Sequence, residues 1–111
     1  MPPEKPRLSP QTLALLNVLL EQPADWKYGL ELIEALGIKG GTVYPTLARL
    51  QRFGWLESHR EDASPSELGR PRRRLYRLTG EGQRQAEDAL ERWRKMLGFK
   101  LDPAKPLPRP A

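Results

Sequence analysis

The chain has 111 residues, 30% of them charged, and nineteen basic side chains against fourteen acidic ones give a formal net charge of +5. That length supports one domain with one modest core, and the charge favours polyanionic partners. The lack of cysteine excludes a disulfide framework and a thiolate metal site.

The N-terminus, MPPEKPRLSP, lacks the apolar stretch of a signal peptide. The longest apolar run, Leu13 to Leu20, is interrupted by Asn17 and falls far short of the ~20 residues of a membrane span. A cytoplasmic protein with no membrane partner is expected. Residues 1–8 hold three prolines and mixed charges and are expected to form a loose arm. Ser9-Pro10 is a helix start: Ser9 can cap, Pro10 suits the first helical position, and Leu8 and Leu13 are placed for a hydrophobic staple. The first helix is expected to run to about Glu21. It is apolar nearly all round (Leu13, Leu15, Leu16, Val18, Leu19, Leu20), so it should be the most buried helix or be covered in part by a second subunit.

Pro23 ends that segment, and Asp25 or Trp26 is expected to open a second helix over roughly Tyr28 to Leu36. Leu32, Ile33 and Leu36 form its inner stripe and Gly37 caps it. A tight connection, Ile38-Lys39-Gly40, leads to the stretch GGTVYPTLARLQRFGWL. There Val43, Leu47 and Leu50 share one helical face, extended by Phe53. The opposite face shows Thr42, Pro45, Thr46, Arg49 and Arg52, hydroxyls and guanidinium groups without an acid. Two short helices joined by a glycine-containing turn match a helix-turn-helix, and the second suits a DNA major groove. The duller alternative is a core helix with a solvated outer face.

After Gly54 the pattern changes to a period of two. Trp55, Glu57 and His59 alternate with Leu56, Ser58 and Arg60. Residues 61–71 are turn-formers throughout, and Arg72 to Leu78 alternates again, so a hairpin is expected. Placed after a helix-turn-helix, it is a wing. Arg70, Arg72, Arg73, Arg74 and Arg77 lie there with no acid among them; alternation sends Arg72 and Arg74 to the face opposite Arg73. Thr79 caps a last helix with Glu81 in its first turn. Its residues Ala86, Leu90, Trp93 and Leu97 have coiled-coil spacing. Gly98 should end it, Phe99 and Leu101 should fold back, and four prolines mark an extended tail.

Charge is not spread evenly. Residues 39–78 carry nine bases and four acids, an excess equal to that of the whole chain. Phosphate neutralisation needs such a patch. No catalytic constellation accompanies it. His59 is the only histidine and has no cysteine or carboxylate pair for metal binding. Ser58, Ser64 and Ser66 have no histidine-and-acid partners, and Gly40-Gly41 lacks the flanks of a phosphate loop. No enzyme and no cofactor is expected.

GTVYPTLARLQRFGWL followed by GRPRRRLYRLTGEG resembles the PadR family of winged-helix transcriptional regulators over about residues 9–98. Gly41, Thr42, Tyr44, Pro45, Leu47, Leu50 and Gly54 match the family's reader-helix pattern. Gly69, Arg70, Pro71, Tyr76, Leu78, Thr79 and Gly82 match its wing and the start of its last helix. Tyr28-Gly29 resembles its Gly-Tyr pair in reverse order. The resemblance implies a homodimeric repressor, and the single last helix with a tail resembles the short members.

The expected fold class is mainly α with a small β hairpin. A flexible arm (1–8) precedes a winged helix-turn-helix DNA-binding domain (9–78), a dimerisation helix (79–98) and a proline-rich tail (99–111). The expected partners are double-stranded DNA and a second copy of the chain, on a palindromic operator. Lys39, Thr42, Tyr44, Pro45, Arg49, Arg52, Arg70, Arg72, Arg73 and Arg74 are the candidate DNA contacts. Leu13, Leu16, Ala86, Leu90, Trp93 and Leu97 are the candidate dimer contacts. Drug-sensing short relatives further imply a small aromatic effector at Trp93, with a closed, packed dimer core as the alternative. The rival function is a winged-helix protein-interaction module bound to an acidic partner.

Overall fold

The computed structural model of the chain describes residues 6–97. Helix α1 spans Pro10–Glu21 and starts where the Ser-Pro signal puts it: the Ser9 Oγ accepts the Thr12 N–H at 3.1 Å. Leu15, Leu16 and Leu19 point into the main core, while Leu13 faces the last helix.

The second helix does not open at Asp25 or Trp26. Lys27–Tyr28 form a short strand, β1, and helix α2 spans Gly29–Leu36. Tyr28 keeps an extended backbone (φ −69°, ψ 147°) and serves as the cap, with its N–H donated to the Glu31 carboxylate at 2.9 Å. A two-residue strand has no periodicity of its own, so only its partner across the sheet defines it. Gly37 closes α2 in the left-handed conformation (φ 66°).

Helix α3 spans Gly40–Arg52 and buries Val43, Leu47 and Leu50 as expected. Gly54 (φ 78°) then turns the chain into β2, Leu56–Arg60. Strand β3, Arg74–Leu78, pairs antiparallel with β2 from Leu56↔Leu78 to Arg60↔Arg74, and β1 pairs with the other edge of β3. The wing is therefore the outer part of a three-stranded sheet ordered β1-β3-β2, not an isolated hairpin. The stretch between β2 and β3 also holds a single helical turn, α4, Pro65–Leu68, capped by Ser64. Its Ser-Pro start is the same signal that opens α1.

Helix α5 spans Gly80–Leu97. The Thr79 Oγ accepts the Gly82 N–H at 2.9 Å and donates to the Gly54 carbonyl at 2.6 Å. One core joins α1, α2, α3, the sheet and Ala86 of α5; Leu13, Ala89 and Leu90 form a smaller cluster between α1 and α5. Burial of each such leucine is worth ~1.5–3 kcal/mol. The stop at Gly98, the return of Phe99 and Leu101, the proline-rich tail and residues 1–5 of the arm lie outside the described residues.

Gly82 shows how closely α5 is seated. A Cβ there would fall 2.6 Å from the Trp55 carbonyl carbon, and that neighbour is backbone that cannot swing aside. Gly82→Ala should therefore cost ~3 kcal/mol in urea unfolding. Gly80→Ala, two residues earlier with nothing within 4 Å, should instead stabilise the protein by ~0.5–1 kcal/mol.

Candidate nucleic-acid interface

The outer face of α3 presents Thr42, Tyr44, Pro45 and Arg52 to solvent, with Arg49 half-buried beside them. Thr46 is not on that face. It is buried, and its hydroxyl donates to the Thr42 carbonyl at 2.8 Å, so the helix itself satisfies the one polar atom that burial would strand. Arg49 reaches back to the Thr46 hydroxyl with Nη2 at 3.4 Å.

Lys39 caps α3 without a side-chain hydrogen bond, and no acid stands in the first turn. The positive end of the helix thus carries an added cation and nothing to offset it. Tyr44 is 46% exposed, yet its ring is fixed. A Cβ on Gly29 would lie 3.0 Å from the Tyr44 Cζ, and one on Gly40 would lie 3.3 Å from its Cε2. The ring lies across two glycines, one from each helix of the pair. That contact gives a physical reason for the glycine that follows Tyr28.

The wing arginines divide by partner. Arg70, expected to contact DNA, is instead spent inside the chain. Its two Nη atoms grip the Glu61 carboxylate at 2.7 and 3.1 Å, and Nη1 also donates to the Pro71 carbonyl at 3.1 Å. Glu61 accepts the Arg73 N–H at 3.0 Å and the Tyr28 hydroxyl at 3.3 Å as well. The Arg70 bonds are the main cause of a Glu61 pKa lowered from 4.5 to about 2; burial opposes them, and the Arg73 N–H and Tyr28 hydroxyl assist. Arg77 is also occupied. It pairs with Glu57 across the strands and stacks over Trp26 at 4.2 Å, and Trp26 meets His59 edge-on at 4.3 Å.

The other wing arginines form no ion pair among the described residues, although Asp62 and Glu67 lie in the same connection. Arg72 donates Nε to the Ala63 carbonyl at 3.0 Å, Arg74 donates Nη1 to the Ser58 hydroxyl at 3.0 Å, and the Arg73 side chain is exposed. The Ser58 hydroxyl in turn donates to Gln51 Oε1 at 2.9 Å, so a hydrogen-bonded chain joins the wing to the last turn of α3. Arg60, not among the expected contacts, stands directly across from Arg74. The period-two alternation places Arg60 at the hairpin end, but its partner needs the register. Among the described residues, Lys39, Arg49, Arg52, Arg60, Arg72, Arg73 and Arg74 lie within 4.0 Å of no carboxylate. All four bases of α5 do pair on their own helix, Arg84 with Glu81, Arg92 with Asp88, and Arg94 and Lys95 with Glu91.

The expected dimer contacts divide too. Leu13, Leu16, Ala86 and Leu90 are buried in the chain's own core. A side chain with no surface in its own chain has none to give a partner, so they support the α1–α5 face from beneath. Leu97 (44% exposed) and half-buried Trp93 remain outside, joined by Met96 at 74%, which the coiled-coil spacing passes over. Leu8, Leu13, Ala89, Trp93 and Met96 line a groove of about 280 Å³, with Arg92 at its edge. Among the described residues no three histidine or carboxylate groups gather to hold a metal ion, and no helix is long and apolar enough to cross a membrane.

Two helices in a tight turn, a wing and a flanking last helix define a winged helix-turn-helix protein. The family model of the transcriptional regulator PadR-like family matches residues 15–88, and the chain belongs to that family. It is a transcriptional regulator by that membership. Among solved structures, a PadR family transcription regulator from Clostridium difficile R20291 is 26% identical with a TM-score of 0.63, over 78% of this chain and 91% of that one. A PadR-like transcription factor from Bacteroides fragilis is 22% identical with a TM-score of 0.63, over 79% and 86%. A transcriptional regulator homologue from Pyrococcus horikoshii is 18% identical with a TM-score of 0.67, over 84% and 86%; the latter two show the fold alone. No curated protein matches the chain significantly.

The Glu61 network yields a pH test. A carboxylate with a depressed native pKa stabilises the fold above its unfolded value, and that contribution is lost as pH falls through the folded one. Stability measured by urea unfolding should therefore drop between pH 4.5 and about 2. Glu61→Gln should be less stable at pH 7 and show a shallower drop over that window.

Proposed function

We propose that this PadR-like regulator binds double-stranded DNA sequence-specifically, acting in the cytoplasm as a homodimeric repressor on a palindromic operator. The observation that carries this is where the unpaired bases gather: apart from Arg7 and Lys27, those of the described residues all lie on α3, at its cap or on the wing. The bases of α5 are neutralised on their own helix, whereas those of α3 and the outer wing face no carboxylate among the described residues. A surface made basic for solubility would have no reason to separate them. A phosphate-binding surface does, because each base left free there releases a counterion on binding.

In this reading α3 enters the major groove by its first turns. Thr42, Tyr44, Pro45 and Arg49 approach bases and phosphates, and Lys39 and Arg52 flank them. Arg72, Arg73 and Arg74 supply the wing contacts, while Arg70 shapes the wing through Glu61. Residues 9–78 are then the reading unit and 79–98 the pairing helix. The pairing face is the apolar surface of Trp93, Met96 and Leu97, and it would set two readers ~34 Å apart, one turn of DNA. An aromatic effector stacked on Trp93 would enter the same groove and act by favouring one arrangement of the readers.

Selection of bound sites from random duplex DNA tests the whole reading. A palindromic enriched motif supports it. Salt-dependent binding to acidic proteins with no duplex preference would favour an interaction module instead. Arg49→Ala should lose affinity for the selected site and relax its preference. Arg72→Ala with Arg73→Ala should weaken binding to all duplexes alike and flatten the salt slope by ~1–2. Met96→Asp with Leu97→Asp should give folded monomers in sedimentation. Leu90 is unsuited to that test, since a charge at a buried position breaks the fold first.

A further inference from the structure

Arg60 and Arg74 are directly opposed across the end of the β2–β3 ladder, both exposed. Like charges in that position destabilise a strand pair. Three positions along the same ladder, Glu57 and Arg77 show the usual solution, an opposite-charge pair. Neither Arg60 nor Arg74 has a carboxylate within 4.0 Å among the described residues. The two arginines line an open cleft of about 1040 Å³ together with Arg70 and Arg72. Pro65 and Ser66 from the start of α4, and Pro71, complete its lining. No carboxylate lines it. Its charged side chains are all guanidinium groups, and the Ser66 hydroxyl adds a neutral donor. The Arg70 charge is already neutralised by Glu61, which leaves Arg60, Arg72 and Arg74 as uncompensated charge.

We propose that this cleft, between the wing strands and α4, holds the sugar-phosphate backbone of one DNA strand, with Arg60, Arg72 and Arg74 meeting phosphates. The inference rests on the DNA-binding reading above and specifies how the wing takes part in it. The arginines gather on the walls of a concavity, where a string of phosphates can lie. A single projecting arginine would instead enter a minor groove. Position agrees with this. Arg74 is linked through Ser58 to Gln51, so the cleft opens beside the exposed last turn of α3. A backbone leaving the major groove at that turn passes into it. The wing then adds affinity and salt dependence, and sequence is read by α3 alone.

The test uses the full-length chain and a duplex carrying its selected site. Binding is measured against salt for wild type, Arg60→Gln, Arg60→Lys and Arg74→Gln, after circular dichroism has shown each to be folded. Arg60→Gln and Arg74→Gln should each lower the salt slope by ~1, and Arg60→Lys should keep it. Neutral methylphosphonate linkages placed singly along the duplex should weaken wild type at two or three adjacent positions beside the site. Arg60→Gln should be insensitive at one of those positions. Inosine for guanine beneath the wing, which removes a minor-groove donor, should leave affinity unchanged.

Salt-dependent, site-preferring binding whose slope ignores both glutamine variants would overturn the cleft and leave the DNA-binding reading intact. Loss of affinity on inosine substitution would likewise replace it with a minor-groove contact. Absence of any duplex binding by wild type would overturn both.

Discussion

The backbone of α5 touches the backbone of the Gly54–Trp55 turn, and much of the architecture follows from that contact. The Trp55 carbonyl accepts the Thr79 N–H at 3.0 Å, the Trp55 N–H returns to the Leu50 carbonyl at 3.0 Å, and Gly82 lies against the same peptide. The end of α3, the start of β2 and the first turn of α5 therefore meet at one point with no side chain between them. Side chains hop between rotamers, but a hydrogen-bonded peptide-to-peptide seat has far less freedom. In the proposed dimer a helix that spaces two readers has to be joined rigidly to the reader of its own chain, and this seat supplies that joint.

Long helices were readable because their signals are local. The Ser9-Pro10 start, the glycine stops and the 3.6-residue stripe lie within a turn or two of the positions they govern, whereas the same Ser-Pro signal at Ser64-Pro65 sits among turn-formers that conceal α4. The features that escaped the sequence depend on partners far along the chain. Lys27 and Tyr28 become a strand only because β3, almost fifty residues later, offers its edge. Thr46 illustrates a different failure. Its position, three after Val43 and four before Leu50, is inward by period, and only its hydroxyl suggested otherwise. A threonine can return that hydroxyl to its own helix and count as apolar for packing. Met96 was missed for the opposite reason, since a strict heptad stripe passes over an apolar residue at its margin.

Charge was legible as a total and not as a distribution of partners. Five wing arginines look alike in sequence. In the fold, Arg70 is neutralised by a glutamate nine residues away and Arg77 by one twenty residues away, across a register that a thirteen-residue connection does not determine. The helical pairs of α5, at spacings of three and four, could have been counted from the sequence and subtracted. That subtraction matters more than net charge: it separates bases that complete the fold from bases that await a partner. Arg70 belongs to the first group, although it sits in the Gly-Arg-Pro motif of the family resemblance. Arg60 belongs to the second, although no motif contains it.

Tyr44 is packed and exposed at once. Its ring occupies space that any side chain at residue 29 would need, so the start of α2 fixes the first turn of α3 through one aromatic contact. Yet nearly half of the residue remains in solvent. Tyrosine suits this division because one side of its ring packs on Gly29 while the rest stays in solvent. Phenylalanine would keep the seat and lose the hydroxyl; serine would keep a hydroxyl and lose the seat. Removing the ring therefore changes where Thr42, Pro45 and Lys39 stand, whereas removing the oxygen alone leaves them in place. Separating those two changes distinguishes a side chain that aims the reader from one that touches what is read.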